Sequence, residues 1–502
     1  MFNINYEDDG LDKPRSNCGV FGIYNHPQAA VMTYYALHAL QHRGQEAAGI
    51  TSYYYDEEKK KMRYAYHRGE GLVLDVFSDP SVLTNVLKGK AAIGHNRYST
   101  TGSSSRANIQ PFSMRYHSGM LSIAHNGNLT NTKYLHEKLH HQGAIFQTTT
   151  DTELFLHLIA HSKEKEKIDQ IKDALRQARG AFSLVILTED SLIAVRDPYG
   201  VRPLNIGRIK VGDEYSYVVA SESCAFDMLS AEYVRSVNHN EIVVINRKTI
   251  ETGEMESHKI IENTPEAKQC IFEYIYFSRP DSKIFGHNVD KVRRKLGKNL
   301  ASESPVHCKE GEKVTVIAVP DSGNTATLGF ARINNDMNGP TVFEIGLIRS
   351  HYVGRTFIAP GQDNREFKVK LKFNPVKGVI ENRNIVVIDD SLVRGTTSKS
   401  LMNLIREAGP KMLHMRITSP PIKYPCYYGM DFPSSEELIA NHHDSEEEIG
   451  KAIGCDSLHY LSKKKLLESV PQDTGISYCT ACFTGEYPIP IEDDYDKFSV
   501  EQ

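Results

Sequence analysis

Residues 384–409 read NIVVIDDSLVRGTTSKSLMNLIREAG, and no other stretch narrows the possible folds as far. Ile385, Val386, Val387 and Ile388 are consecutive apolar, β-branched residues that leave no polar face for water. A strand of this kind is covered on both faces, as in a parallel sheet wrapped by helices. Asp389 and Asp390 end the run, residues 392–397 make a polar turn, and a helix starts near Ser398. That is a βα unit of a doubly wound sheet, and residues 313–333, KVTVIAVPDSGNTATLGFARI, spell a second one.

The turn also carries chemistry. Open α/β sheets bind ligands beyond the carboxyl ends of their strands, where Asp389 and Asp390 sit. Gly395 lets the backbone approach a ligand, Thr396 and Thr397 offer hydroxyls, and the helix start offers unpaired N–H groups to an anion. An acidic pair beside a phosphate cradle suits the vicinal hydroxyls of a ribose phosphate. A strand-capping acidic pair, or the metal corner of a receiver domain, would explain the aspartates alone. Neither needs the RGTTS turn that follows at once.

The first half of the chain is built differently. Strand-like runs (GVFGIY, AAIGHNRYS, LSIAHNGNL, FSLVILT, SLIAVRD, YSYVVAS, EIVVIN) are interrupted by only two helix-like stretches, residues 30–44 and 151–165. Asp151, Thr152 and Glu153 make a plausible helix start. Strands with few intervening helices predict sheets covered from outside, an α+β layered domain. At 502 residues the chain exceeds a single core, and the polar stretch 246–259 is the expected boundary. The expected organisation is a leader over 1–17, one domain over 18–255, a second over 256–490 and an acidic tail over 491–502.

Composition excludes some classes. With 40% hydrophobic and 24% charged residues the chain is of globular type. A net charge of -4 without a basic block argues against nucleic-acid or membrane-surface partners. Residues 1–17 are acidic and lack an apolar core, so they are expected to be neither a secretory nor a mitochondrial signal, which places the chain in the cytoplasm. There its eight cysteines should be free, catalytic or metal-bound. Cys479 and Cys482 form a CxxC pair; zinc, an iron–sulfur centre and an unligated pair all remain open on spacing.

VVIDDSLVRGTTS resembles the PRPP (phosphoribosyl pyrophosphate) motif of type I phosphoribosyltransferases. Together with YVGRTFIAPGQDNRE, FEYIYFSRPDS and TSPPIKYPCYYGMD it resembles the amidophosphoribosyltransferase family, over a span from Cys18 to about Pro488. CGVFGIYN, LQHRGQEAAGI, GHNRYSTTG, AHNGNLTN and TTTDTEL resemble a class II, N-terminal nucleophile (Ntn) glutamine amidotransferase. The resemblance implies a four-layer αββα Ntn domain followed by a type I phosphoribosyltransferase domain. It implies the first step of purine synthesis: glutamine, PRPP and water give 5-phosphoribosylamine, glutamate and pyrophosphate, with ammonia passed between two sites.

The implied roles are specific. Cys18 is the nucleophile, with its own α-amino group as base once residues 1–17 are removed. Asn126 and Gly127 form the oxyanion hole. Arg43, Arg97 and Asp151 hold glutamine. Ser322, Arg355, Lys372, Asp389, Asp390, Arg394, Gly395, Thr396 and Thr397 hold PRPP, with Ser322, Asp389 and Asp390 also serving Mg²⁺. A lid over 353–366 closes on PRPP and excludes water. One branch of the family carries a propeptide and a [4Fe–4S] cluster, whose ligands fall on Cys270, Cys426, Cys479 and Cys482. Purine-nucleotide inhibition and a homotetramer are also implied. Other readings are a glutaminase serving another acceptor, as in glucosamine-6-phosphate synthase, and a non-catalytic PRPP sensor. The first leaves the IDDSLVRGTTS turn unexplained, and the second leaves Cys18 and the lid segment unexplained.

Overall fold

The computed structural model describes residues 18–98, 106–307, 309–350 and 365–492. Two antiparallel sheets make up the first half. One has seven strands, in the order Glu232–Ser236, Asn205–Val211, Glu214–Ala220, Gly19–Tyr24, Ala91–Arg97, Ala47–Asp56 and Lys61–Glu70. The other has six: Glu256–Lys259, Glu241–Asn246, Ser191–Arg196, Gly180–Thr188, Gly119–Leu129 and Phe112–Tyr116. They stack face to face, with Val20, Ile93 and Val219 of the first meeting Val185, Leu187 and Val243 of the second in one core. The approach is close enough that a Cβ on Gly22 would stand 2.6 Å from Val185 Cγ1.

Helices cover both outer faces. Ala29–Ala39 and Cys224–Met228 lie on the seven-stranded sheet, whose outward residues Phe21, Ile23, Ala48 and Ile50 they bury. Thr132–His141, Thr152–His161 and Lys167–Gln177 cover the six-stranded sheet. The strict in-and-out alternation of Val20 and Ile23 or Val185 and Ile186 between separate cores is what the period of two along a strand demands. The result is the four-layer αββα architecture.

The second half is a five-stranded parallel sheet in the order Thr341–Phe343, Val314–Ala318, Asn384–Asp389, Met412–Ile417 and Ser457–Tyr460. Val386 and Ile388 point into the core under helices Val289–Glu303 and Asn324–Asn338. Ile385 and Val387 point into the opposite core, under Thr396–Glu407 and Glu446–Ile453. The four-residue apolar run is thus explained: each face of this central strand is covered, and the sheet is doubly wound.

The expected boundary region is placed differently. Arg247–Thr252 is a helix, and Glu256–Lys259 pairs with Glu241–Asn246 as an edge strand. These residues complete the first half, because an edge strand can use polar side chains on its solvent face. The crossing lies beyond them, where Ala267–Cys270 pairs in parallel with Ile476–Cys479 and the helical turn Glu273–Phe277 packs into the second core. Residues 1–17, the expected leader, and 493–502 of the expected tail lie outside the described residues. No helix among the described residues is long and apolar enough to cross a membrane.

Candidate active sites

Cys18 immediately precedes the strand Gly19–Tyr24, at the end of the seven-stranded sheet. Its side chain is buried, and its Sγ lies 3.6 Å from the carbonyl oxygen of Tyr98. Burial pushes the thiol up to about 11, against the opposing pull of the Tyr98 hydrogen bond and of Arg97. A thiol held protonated in this way needs a base beside it to attack a carbonyl. Arg97, at the end of Ala91–Arg97, and Asp151 are both close enough to act on the charge of Cys18.

Asn126 and Gly127 lie within the strand Gly119–Leu129, opposite Ser183 and Phe182. HNGN is therefore strand, not a hairpin tip. The amide of Asn126 is buried with neither Nδ2 nor Oδ1 hydrogen-bonded. An unsatisfied buried amide is costly, and a donor kept waiting for a developing negative charge is one reason to retain it. Gly127 has φ +146°, and a Cβ there would fall 2.0 Å from the Ala181 carbonyl oxygen, so only glycine fits.

Asp151 sits at the start of helix Thr152–His161 but does not cap it. Its carboxylate turns inward to accept the Leu129 amide at 2.9 Å and lies 3.4 Å from His125 Nδ1. Burial acts to raise its pKa, yet His125, the Leu129 amide and Thr150 outweigh burial and hold it below the usual range. A buried anion thus survives near Cys18. His125 was not singled out by sequence, and its role depends on contacts that no local pattern announces.

Arg43 corrects an expectation. Its guanidinium has no exposed surface and is bound to Glu222 and, at 2.8 and 3.2 Å, to both oxygens of Glu273. Its Nε donates to the Cys18 carbonyl at 3.3 Å, and it stacks over Phe277 at 4.5 Å. With its donors committed in this way, it is not placed to hold a glutamine carboxylate. Burial acts to lower its pKa, but Glu273 and Glu222 outweigh that and drive it upward.

The second site lies at the carboxyl end of Asn384–Asp389. Asp389 and Asp390 are buried side by side, with the Asp390 amide donating to Asp389 Oδ1 at 2.9 Å and Ser391 Oγ to Asp390 Oδ1 at 2.6 Å. Gly395 has φ +80° ahead of helix Thr396–Glu407, with Ile439 packed where a Cβ would go. Thr396 and Thr397 form the first turn of that helix, as a phosphate cradle requires. Arg394 makes an ion pair with Glu437 at 2.9 Å. Ser322 stands in the turn before helix Asn324–Asn338, half-buried, and Lys372 ends helix Arg365–Lys372. Arg355 and most of the lid segment lie outside the described residues.

The four cysteines converge. Cys270 pairs with Cys479 across the two-stranded parallel ladder. The Lys423 and Tyr424 amides donate to the Cys482 carbonyl, bringing the Cys426 loop alongside, and the Tyr428 amide donates to Cys426 Sγ at 3.4 Å. All four line one cavity with Arg202, Phe272, Met430 and Phe432. Burial raises Cys270 to about 11 and pushes Cys479 and Cys482 upward too. Among the described residues, no group of three or more His, Cys, Asp and Glu is set to grip a metal ion as it stands. The described cysteines are all free thiols.

Residues 95–228 match the glutamine amidotransferase domain family. Amidophosphoribosyltransferase 2, chloroplastic, of Arabidopsis thaliana is 50% identical over 487 residues, which is 97% of this chain and 82% of that protein. The Bacillus subtilis amidophosphoribosyltransferase is 46% identical over 481 residues, 95% of each chain. A solved structure described as glutamine PRPP amidotransferase from B. subtilis complexed with ADP and GMP superposes with a TM-score of 0.84 at 45% identity, covering 96% of this chain and 100% of that one. An Ntn glutaminase fold joined to a phosphoribosyltransferase sheet defines a glutamine amidotransferase that uses PRPP as acceptor. The chain belongs to the amidophosphoribosyltransferase family, and its activity is the first step of purine biosynthesis, transfer of the glutamine amide nitrogen to PRPP. Its ligands are small molecules.

Removing the waiting amide should weaken transition-state binding selectively. Asn126→Ala is expected to lower glutamine-dependent kcat by about 10²–10³-fold with a smaller change in glutamine KM. Steady-state glutamate release checks this; a loss confined to KM would show that Asn126 binds ground-state glutamine instead.

Proposed function

We propose that the two sites divide the reaction as follows. The Cys18 thiol attacks the glutamine amide carbon, and the α-amino group exposed by removal of residues 1–17 takes the thiol proton. Asn126 Nδ2 and the Gly127 amide receive the oxyanion. The tetrahedral intermediate collapses, releasing ammonia and leaving a glutamyl thioester, which water hydrolyses to glutamate and the free thiol. Arg97 and Asp151 hold the α-carboxylate and α-ammonium of glutamine. Ammonia passes to the second site and attacks C1 of PRPP as pyrophosphate leaves. The buried amide of Asn126, with neither Nδ2 nor Oδ1 hydrogen-bonded, is the observation that carries this reading.

At the second site Asp389 and Asp390 would hold the ribose and, with Ser322, a magnesium ion; Thr396, Thr397 and the Gly395 turn would take the 5′-phosphate, and Arg355 and Lys372 the pyrophosphate. Oxygen donors from a carboxylate pair fit Mg²⁺, which typically uses one or two carboxylates plus substrate phosphates. When bound, the ion would neutralise charge on the leaving pyrophosphate. Arg394 contributes through its backbone in this scheme, since its side chain faces Glu437.

The cysteine-lined cavity fits a [4Fe–4S] cluster: four thiols from three separated segments, apolar walls and Arg202 to balance negative charge. Its contribution would be structural, a cross-link among segments 270, 426 and 479–482. Purine nucleotides as inhibitors, a homotetramer and a cytoplasmic location complete the proposal. The ADP and GMP bound to the B. subtilis neighbour support the first, and the acidic composition of residues 1–17 supports the last.

Three measurements test this. Cys18→Ala should abolish glutamine-dependent product and spare the ammonia-dependent reaction, whereas Asp390→Asn should abolish both. A folded Cys18→Ala protein without ammonia-dependent activity would refute the separation of sites. Anaerobically purified protein should contain iron and acid-labile sulfide, and stoichiometric zinc without iron would replace the cluster by a zinc site. Intact mass of active enzyme should correspond to a chain beginning at Cys18; full activity with residues 1–17 retained would overturn the α-amino base.

A further inference from the structure

The buried charges around Arg43 form a closed set. Glu273, from the segment that crosses into the second half, accepts both Arg43 Nη atoms, Arg202 Nη1 at 3.3 Å and Ser278 Oγ at 2.6 Å. Glu222, from the first half, accepts Arg43, His42 Nε2 at 2.7 Å, Ser282 Oγ at 2.6 Å and the Arg279 amide at 2.9 Å. Neither arginine and neither glutamate has any side-chain exposure. Two guanidinium groups and two carboxylates face one another there.

One donor of this set leaves it. Arg43 Nε reaches the carbonyl of Cys18, the nucleophile of the reaction proposed above. A residue that becomes the first of its chain loses the covalent tether on its amino side. Its Cα and α-amino group are then positioned from the carboxyl side, by the plane of its own carbonyl and by the strand that follows, while the thiol also meets the Tyr98 carbonyl at 3.6 Å. Val20 is anchored by Ser221 Oγ at 3.0 Å, and Arg43 supplies the hydrogen bond to the Cys18 carbonyl itself. Arg43 can hold that orientation only while its other two nitrogens are fixed, and Glu273 fixes both.

We propose that Glu273 is a positioning residue for Cys18. Although it belongs to the crossing segment and is fully buried, it orients Arg43, and through Arg43 the carbonyl that sets the thiol and α-amino group of the nucleophile. The glutaminase site is therefore incomplete without a side chain from outside the glutaminase fold. This rests on Cys18 as nucleophile, and the Cys18→Ala result tests that separately.

The experiment compares Glu273→Gln and Glu273→Asp in the full-length enzyme. Gln keeps the size but turns N–H groups toward the guanidinium; Asp keeps the charge but retracts the carboxylate. Glutamine-dependent kcat is expected to fall by about tenfold or more in Glu273→Gln and less in Glu273→Asp, with glutamine KM within about threefold. The rate of Cys18 alkylation by iodoacetamide, read by peptide mass spectrometry, should fall in the same order. Ammonia-dependent phosphoribosylamine formation should stay within about twofold of the parent, since that site is intact. Parallel loss of both activities would mean a merely structural role and overturn the proposal. A loss confined to glutamine KM, or unchanged alkylation, would overturn it equally. If Glu273→Gln does not fold, Glu273→Asp decides by the same readouts.

Discussion

Two buried arginines and two buried glutamates join the two halves of this molecule in one register. Arg43 and Glu222 come from the layered first half, Arg202 from the loop beside it, and Glu273 from the segment leading to the parallel sheet. Stripping one partner from such a set costs about 3–5 kcal/mol, because a charge is left in a place with no water. Replacing the whole set by apolar residues need not cost stability at all. What ions provide here is direction: a guanidinium fork donates to carboxylates in one geometry, so the two halves can dock in one register.

The surroundings of this quartet show what the register is used for. On one side Arg43 touches the backbone of Cys18. On another, Arg202 donates twice to the Tyr428 carbonyl and lines the cavity shared by Cys270, Cys426, Cys479 and Cys482. On a third, Arg293, bonded to the Tyr274 and Ser278 carbonyls, feels the charges of both Glu222 and Asp390. Cys18, the thiol cavity and the acidic pair of the second sheet are neighbours of one buried polar core. Asn128 Nδ2, donating to the Tyr427 carbonyl at 3.0 Å, ties the strand that carries Asn126 and Gly127 to the same loop that carries Cys426. Two chemistries that must exchange a small reactive molecule are thereby built against a common buried wall, which suits a reaction in which water competes with ammonia.

Much of this was legible in the sequence where the signal is local. The run Ile385 to Ile388 announced a strand covered on both faces, because a solvent face would have required alternation. Gly395 and the threonines after it announced a turn into a helix start, because the end of the apolar run, the glycine and the hydroxyls lie within a few residues of one another. Gly127 was legible only through resemblance, since its neighbour Ala181 is far along the chain. The polar stretch 246–259 misled, because edge strands and linkers share composition.

Arg43 shows where sequence stops. A guanidinium in LQHRGQ looks like a substrate ligand, and only its partners reveal otherwise: Glu222 and Glu273 lie far from it in the chain and approach through the packing of separate layers. His125 beside Asp151, and Cys270 beside Cys479, are of the same kind. By itself the sequence determined the two patterns of strand, the acidic pair with the glycine turn and helix start after it, and the cysteine just before Gly19, since each follows from residues within one turn or strand of one another. Tertiary structure alone decided which charges are buried together, because burial is a property of layers that meet across hundreds of residues, and a carboxylate carries no mark in its own neighbourhood of the arginine it will face.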